Sequence, residues 1–319
     1  MNINTWLTLP HLDDTFPLPI DRPFTYAQSR EAGLTRRCLR LLRDGGLLAH
    51  PVKGVYVSTS VPDSIGLRAA CLRLIVPSDA VVCDRHAGWL HGAEMVLLPN
   101  EHLHRSGLTL FLPAGRGRLR NMLTDGGERT FIDRDVTEID GLRVTTPLRT
   151  AWDLGRHRFI EPALSAMDSL LGLRQFTHEE LLDGVERFRG HRWVTTLRRW
   201  APFADGRAES PGESALRLRC WEVGLPQLIP QYAVTSRGRV ARLDLAEPAV
   251  RFAPEYDGQE WHSGAKAIAH DRDRREWLQQ EGWTIRAVGT DEVYGRERAV
   301  DRILLRGYAE ARRRGAIAS

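Results

Sequence analysis

Apolar and polar positions alternate along this chain with periods that predict its elements. In "RRCLRLLRDGG" Leu39 and Leu42 fall on one face, with Arg36, Arg40 and Arg43 on another, so a basic amphipathic helix is expected after Thr35. A shorter helix, "YAQSREAG", precedes it, opened by the capping box of Thr25 and Gln28 and ended by Gly33. "LLAHPVKGVYV" then reads as two strand segments turning at Lys53-Gly54. Helix, basic helix and small hairpin over residues 24–58, after an extension of residues 1–23, is the order of a winged helix-turn-helix. A helical hairpin with a solvated basic face fits the same text.

Farther on, helices are expected over 62–76 and 84–92, and strands in "LTLFLPAG", "ERTFIDRD" and "GLRVTTP". Pro147 stands at the start of a helix, and helical text runs to about residue 200, including one opened by Thr177 and Glu180. Residues 59–200 thus read as an α+β and helical region. The Gly, Pro, Ser and acid content of "APFADGRAESPG" marks 201–212 as a linker. Beyond it, over 213–319, the order becomes helix, three strands, helix, strand and a long last helix, "DEVYGRERAVDRILLRGYAEARRR". A strand that follows a helical crossover favours parallel or mixed pairing. The fold class expected is mixed α/β.

Composition narrows the setting. The 319 residues are 42% hydrophobic and 27% charged, with no apolar run of the length that spans a bilayer and no signal-like start. A cytoplasmic protein without a membrane partner is expected. Cys38, Cys71, Cys83 and Cys220 are scattered, which points to free thiols and not to a zinc site or disulfide framework. The 45 basic residues are 43 Arg and only two Lys, Lys53 and Lys266. A GC-rich genome explains such a bias, and Arg forks also suit phosphate oxygens.

The chemistry is concentrated in "RLDLAEPAVRFAPEYDG", two strands joined by a tight turn. Asp244 and Glu255 lie on adjacent strands, and Glu255 and Asp257 share a face by alternation. Neighbouring anions at a sheet edge must shift their pKa values upward or recruit a cation. Mg²⁺, or Mn²⁺ in its place, is a hard oxygen-seeking ion that one or two carboxylates hold with water and phosphate. Other readings remain open: Glu213 as the partner of the Ser210 cap, Asp244 paired with Arg242 or Arg274, and Asp257 as turn chemistry before Gly258. Arg272, Arg274 and Arg275 also fit a solvated face paired with Asp271 and Asp273.

Two resemblances sharpen these expectations. "LLRDGGLLAHPVKGVYV", "CDRHAGWLHG" and "GLRVTTPLRTAWDL" resemble the AbiEi antitoxins of type IV toxin–antitoxin systems over residues 24 to 160. That resemblance implies DNA binding by the winged helix, with Arg36, Arg37, Arg40 and Lys53 meeting phosphates or bases, and a cognate toxin as a partner. "SPGESALR", "RLDLAEP", "EYDGQEWH" and "DRDRREWLQQEGW" are similar to the PD-(D/E)XK nucleases, in the very-short-patch-repair branch, over 210–310. It implies a restriction-endonuclease-like domain in which Glu213, Asp244 and Glu255 ligate Mg²⁺. The motif lysine falls at Asp257, so Asp257 itself, His262 or Lys266 is left to position the attacking water. Arg274 and Arg275 are then expected near the substrate phosphates.

The function expected is a DNA-binding protein with a Mg²⁺-dependent endonuclease domain. Its rival is a non-catalytic repressor or antitoxin on a degenerate nuclease frame, supported by the missing lysine. A Mg²⁺ enzyme acting on RNA fits the same acids.

Overall fold

The computed structural model describes residues 3–96, 108–116, 124–258 and 265–318; the side chains of 124–125, 265–270 and 316–318 lie outside that description. The fold is mixed α/β and divides into two compact units. The first comprises residues 1–154 and 173–184, the second residues 155–172 and 185–319. Residues 201–212, expected as the boundary, lie inside the second unit. Ala201–Phe203 there form a turn of 3-10 helix, and Asp205 is tied into the buried interior.

The first unit opens with helix α1 (Ile3–Leu7), strand β1 (Phe24–Thr25), helices α2 (Tyr26–Glu31) and α3 (Arg36–Asp44), and the hairpin β2 (Leu48–Val52) and β3 (Val55–Ser58). The caps form as the side-chain chemistry dictates. Thr25 Oγ1 accepts from Gln28 N at 3.2 Å, and Gln28 Oε1 accepts from Thr25 N at 2.7 Å. Gly54, with φ +89°, makes the hairpin turn that a side chain would strain. The strands order β1-β3-β2. Residues 1–23, expected as a mere extension, supply core: Trp6, Leu12 and Phe16 pack with Phe24, Leu39 and Leu42.

Helix α4 (Ile65–Arg73), strand β4 (Val81–Val82), helix α5 (Asp84–Leu90) and strands β5 (Leu108–Pro113), β6 (Thr124–Arg129), β7 (Val136–Ile139) and β8 (Leu142–Thr145) follow. The five strands order β6-β5-β4-β8-β7, with both parallel and antiparallel ladders. "ERTFIDRD" is not one strand. Asp135 turns inward in a 3-10 turn because its carboxylate accepts from Arg149 at 2.5 Å and from Ile132 N at 3.1 Å. Arg149 also reaches Asp153, and Asp153 reaches Arg129, so a buried ionic chain ties β6 to helix α6 (Pro147–Gly155).

Helix α7 (Ile160–Gly172) belongs to the second unit, and helix α8 (His178–Asp183), capped by Thr177, to the first. The second unit continues with α9 (Val194–Trp200) and α10 (Pro211–Glu222), then strands β9 (Ile229–Ser236), β10 (Arg239–Ala246) and β11 (Phe252–Asp257), helix α11 (Ala265–Gln280) and strand β12 (Thr284–Gly289). Strands β9 and β10 form an antiparallel hairpin, and β11 pairs with β12 in parallel. The expected single last helix is two, α12 (Thr290–Tyr294) and α13 (Ala299–Ala318). They break at Gly295, where a Cβ would stand 2.1 Å from the Asp291 carbonyl oxygen.

Alternation along β11 sets the site. Phe252 and Tyr256 pack with Leu216 of α10 and Leu304 of α13. Ala253 packs on the other side with Trp277 and Leu278 of α11, and Glu255 shares that side. Trp277 and Trp283 are core, as expected of large apolar residues here. One salt bridge holds α7 to α10: Asp168, fully buried, accepts from Arg217, from Ser214 Oγ at 2.6 Å and from Asp205 N at 2.7 Å.

Candidate carboxylate site

Glu213 enters from the first turn of α10. Ser210 caps that helix, its Oγ accepting from Glu213 N at 3.1 Å. The Glu213 side chain does more than complete a cap. Its Oε2 accepts from Glu209 N at 2.9 Å and from Gln231 Nε2 at 2.8 Å. Gln231, on β9, sits in left-handed backbone at φ +53°, an uncommon conformation for a residue with a side chain. Glutamine earned no attention in the sequence, where it is one more polar residue in strand text.

Asp244 comes from β10. No regular ladder joins β10 to β11 among the described strands; an isolated antiparallel bridge, Glu247 to Phe252, starts the pair. Farther along, Tyr256 N donates to Asp244 Oδ2 at 2.8 Å, so a side-chain carboxylate stands where a strand carbonyl would otherwise accept. Tyr256 also covers Gly212, whose Cβ, were there one, would stand 2.1 Å from the Tyr256 ring. Glycine is what lets the helix start approach the strand this closely.

Glu255 is buried, and its oxygens face α11. Arg274 grips it with a fork, Nη1 to Oε2 at 3.1 Å and Nη2 to Oε1 at 2.5 Å, and Nη2 also reaches the Arg242 carbonyl at 2.6 Å. Asp257, two residues on, is 3.6 Å from Arg275, which pairs more closely with Asp271 at 3.1 Å. Arg242 turns outward to Glu209 at 2.6 Å.

The electrostatics show that the acids from α10, β10 and β11 feel one another. Burial, the charge of Glu213 and, more weakly, that of Glu255 push the Asp244 carboxyl up to about 7, against the pull of Tyr256 N–H and Arg274. Burial and the neighbouring Glu209 raise Glu213 as well, against its three hydrogen bonds. The Glu255 fork holds the Arg274 guanidinium more firmly charged. Three carboxylates therefore share one matched cation.

The residues expected at the site divide accordingly. Glu213, Asp244 and Glu255 are brought together. Arg274 and Arg275 are spent on carboxylates instead of standing open for phosphate. His262 lies outside the described residues, and so does the side chain of Lys266, whose backbone opens α11. Among the described residues, no three His, Cys, Asp or Glu side chains stand together as a metal-holding group, so the expected Glu213–Asp244–Glu255 ligand set is not assembled. The physical reason is the Arg274 fork, which occupies both oxygens of Glu255. What remains fits a two-carboxylate site: Oδ1 of Asp244 and Oε1 of Glu213 take no hydrogen bond from a described residue. A hard divalent cation is held by one or two carboxylates with water and phosphate completing its shell.

In the first unit Arg36, Arg37 and Arg40 are exposed on α3, and Lys53 is half-buried at the hairpin turn. Arg36 is steadied by Tyr26: its Nε donates to the phenol oxygen at 3.2 Å, and its guanidinium lies 5.1 Å from the ring centre. The four cysteines are free thiols, three of them buried. No helix of the described residues is long and apolar enough to cross a membrane.

These features define a mixed α/β protein of two units with a buried, under-neutralised carboxylate site in the second. The chain matches no protein-family model. It is 31% identical over 261 residues to uncharacterized protein MT2308 of Mycobacterium tuberculosis (strain CDC 1551 / Oshkosh), covering 82% of this chain and 92% of that one. The same identity and coverage relate it to uncharacterized protein Rv2248 of Mycobacterium tuberculosis (strain ATCC 25618 / H37Rv). The chain belongs to the family that these proteins represent.

Proposed function

We propose that the chain acts on DNA, binding duplex through α3 and the β2–β3 hairpin and hydrolysing a phosphodiester at the Glu213–Asp244 site. The observation that carries this reading is the Asp244 carboxyl near 7 beside Glu213, each with an oxygen that takes no hydrogen bond from a described residue. Groups with such displaced acidities, set by burial and a like charge, cluster where chemistry is done. Glu213 and Asp244 are the residues that would hold Mg²⁺ or Mn²⁺, which supplies Lewis-acid activation of the phosphoryl group and of water. Gln231 and the Glu209 amide aim Glu213, and Tyr256 N aims Asp244, so both carboxylates are oriented before substrate arrives. Glu255, fixed by Arg274, adds negative potential that favours a cation. Asp257, His262 and Lys266 are the groups proposed to orient water. Incubation with supercoiled plasmid and Mg²⁺ or Mn²⁺ tests the reading: nicked circles are expected, and Asp244→Asn should abolish them. Absence of nicking under both metals, or nicking undiminished by Asp244→Asn, refutes it.

A second reading is favoured by different observations, the Arg274 fork on Glu255 and an aspartate where the resemblance implies lysine. In it the second unit is a scaffold, and the work is operator binding and repression of the antitoxin kind, alone or with a cognate toxin. DNA binding that needs Arg36 and Arg40 but is indifferent to metal and to Asp244→Asn, with no nicking, is the outcome that selects it.

A further inference from the structure

Away from the carboxylates, the first unit encloses a cavity of about 220 Å³. Its walls come from the hairpin, through Ala49 and Val57, from Val61 in the segment that leaves it, and from Leu67 and Cys71 of α4 and Trp89 of α5. The lining is largely apolar. Cys71 adds to that character, since burial pushes its thiol up to about 12 and keeps it uncharged.

Two polar features interrupt the wall. Arg68, buried, is already satisfied: it forks onto Asp63 at 3.0 and 2.5 Å and donates to the Trp89 carbonyl at 2.8 Å. Its positive charge is matched by Asp63, so a second anion would find little to neutralise. Trp89 is different. Its ring is 4% exposed, and its indole N–H is buried with no acceptor among the described residues. A buried donor left without an acceptor forfeits the hydrogen bond it had to water, and native folds seldom leave one so.

From this we infer that the cavity is a binding site for a small neutral molecule, an aromatic ring or short apolar chain carrying one hydrogen-bond acceptor. The acceptor takes the Trp89 N–H, and the apolar body fills the space between Leu67, Cys71, Val57 and Val61. Size sets the class. A dry apolar cavity of about 150 Å³ admits benzene, so this volume suits a singly substituted ring of about nine heavy atoms. The charge match at Arg68 excludes carboxylates as the preferred ligand. The inference is independent of the phosphodiesterase reading, which rests on the other unit.

Acetophenone is the probe, titrated into the full chain by calorimetry and by saturation-transfer NMR. Saturable binding is expected, with a dissociation constant of about a millimolar or tighter for a ligand of this size. α-Methylstyrene has the same shape without the carbonyl oxygen and should bind about fivefold more weakly. Benzoate should bind more weakly still. Trp89→Phe keeps the wall and removes the donor, so it should erase the preference for acetophenone over α-methylstyrene. Ala49→Leu fills the space and should weaken both. The comparison of the three ligands on the unaltered chain decides the chemistry even if a variant does not fold. No saturable acetophenone binding, a preference for benzoate, or binding untouched by both variants overturns the proposal.

Discussion

Asp244→Asn should stabilise the protein at neutral pH, and the size of the gain follows from the site. In the fold the Asp244 carboxyl sits near 7, pushed there chiefly by burial and then by Glu213. In an unfolded chain an aspartate sits at about 3.9. A carboxyl with the higher value in the fold takes up a proton on folding between those two pH values. Stability therefore falls as pH rises from about 4 to about 7 and stays low above that window. At about 1.4 kcal/mol per pH unit the full gap converts to about 4 kcal/mol, and partial solvent access reduces the working expectation to about 2–4 kcal/mol. Asparagine is neutral throughout and keeps an oxygen for Tyr256 N, so it escapes the loss. Urea denaturation at about pH 4.5 and about pH 8 reads the effect through the midpoint at constant m. The variant should be close to the wild type at the acid end and more stable by about 2–4 kcal/mol at the alkaline end. Millimolar Mg²⁺ should raise the wild-type midpoint at pH 8 and leave the variant unmoved, since only a ligand that binds the folded form shifts the balance. An Asn-for-Asp difference that is the same at both pH values would refute the assigned electrostatics, whatever the protein's activity.

Three further outcomes are expected. Arg36→Ala with Arg40→Ala should weaken duplex binding, and the slope of log affinity against log salt should shrink by ~1.8 if each loses one phosphate contact; unchanged affinity in filter binding removes α3 from the interface. Asp168→Ala leaves Arg217 buried without its anion and should cost about 3–5 kcal/mol in urea denaturation, a loss under about 1 kcal/mol showing that α7 is dispensable to the second unit. Gly212→Ala forces the Tyr256 ring aside, since the added carbon would stand 2.1 Å from it, and should cost about 1–3 kcal/mol, partly recovered by adding Tyr256→Ala.

Local chemistry was legible in the sequence where it acts over a few residues. Thr25 with Gln28, Thr35, Thr177 with Glu180, and Ser210 each cap the helix they precede, because the cap needs only neighbours in the chain. The hairpin at Lys53-Gly54 and the strands bearing Asp244 and Glu255 follow from alternation and turn residues for the same reason. Pairing across the fold was not legible. Nothing in "DRDRREW" distinguishes Arg274, which takes Glu255, from Arg272, which pairs at 3.8 Å with Glu276 on its own helix surface. Gln231 matters through a backbone angle that composition does not report, and Asp168 reaches Arg217 across 49 residues. Trp6 and Phe16 enter the core from a stretch too poor in periodicity to announce a helix-turn-helix partner.

The chain passes between its two units three times, at 154/155, 172/173 and 184/185. Neither unit is an uninterrupted stretch, so neither can be exchanged by one recombination event. A crossover in 201–212 would carry α10 and its strands into a new gene while leaving Asp168 behind, and the transplanted arginine would arrive without its counter-ion. Descent of this architecture is therefore expected to be by whole-chain inheritance, with both halves changing in step.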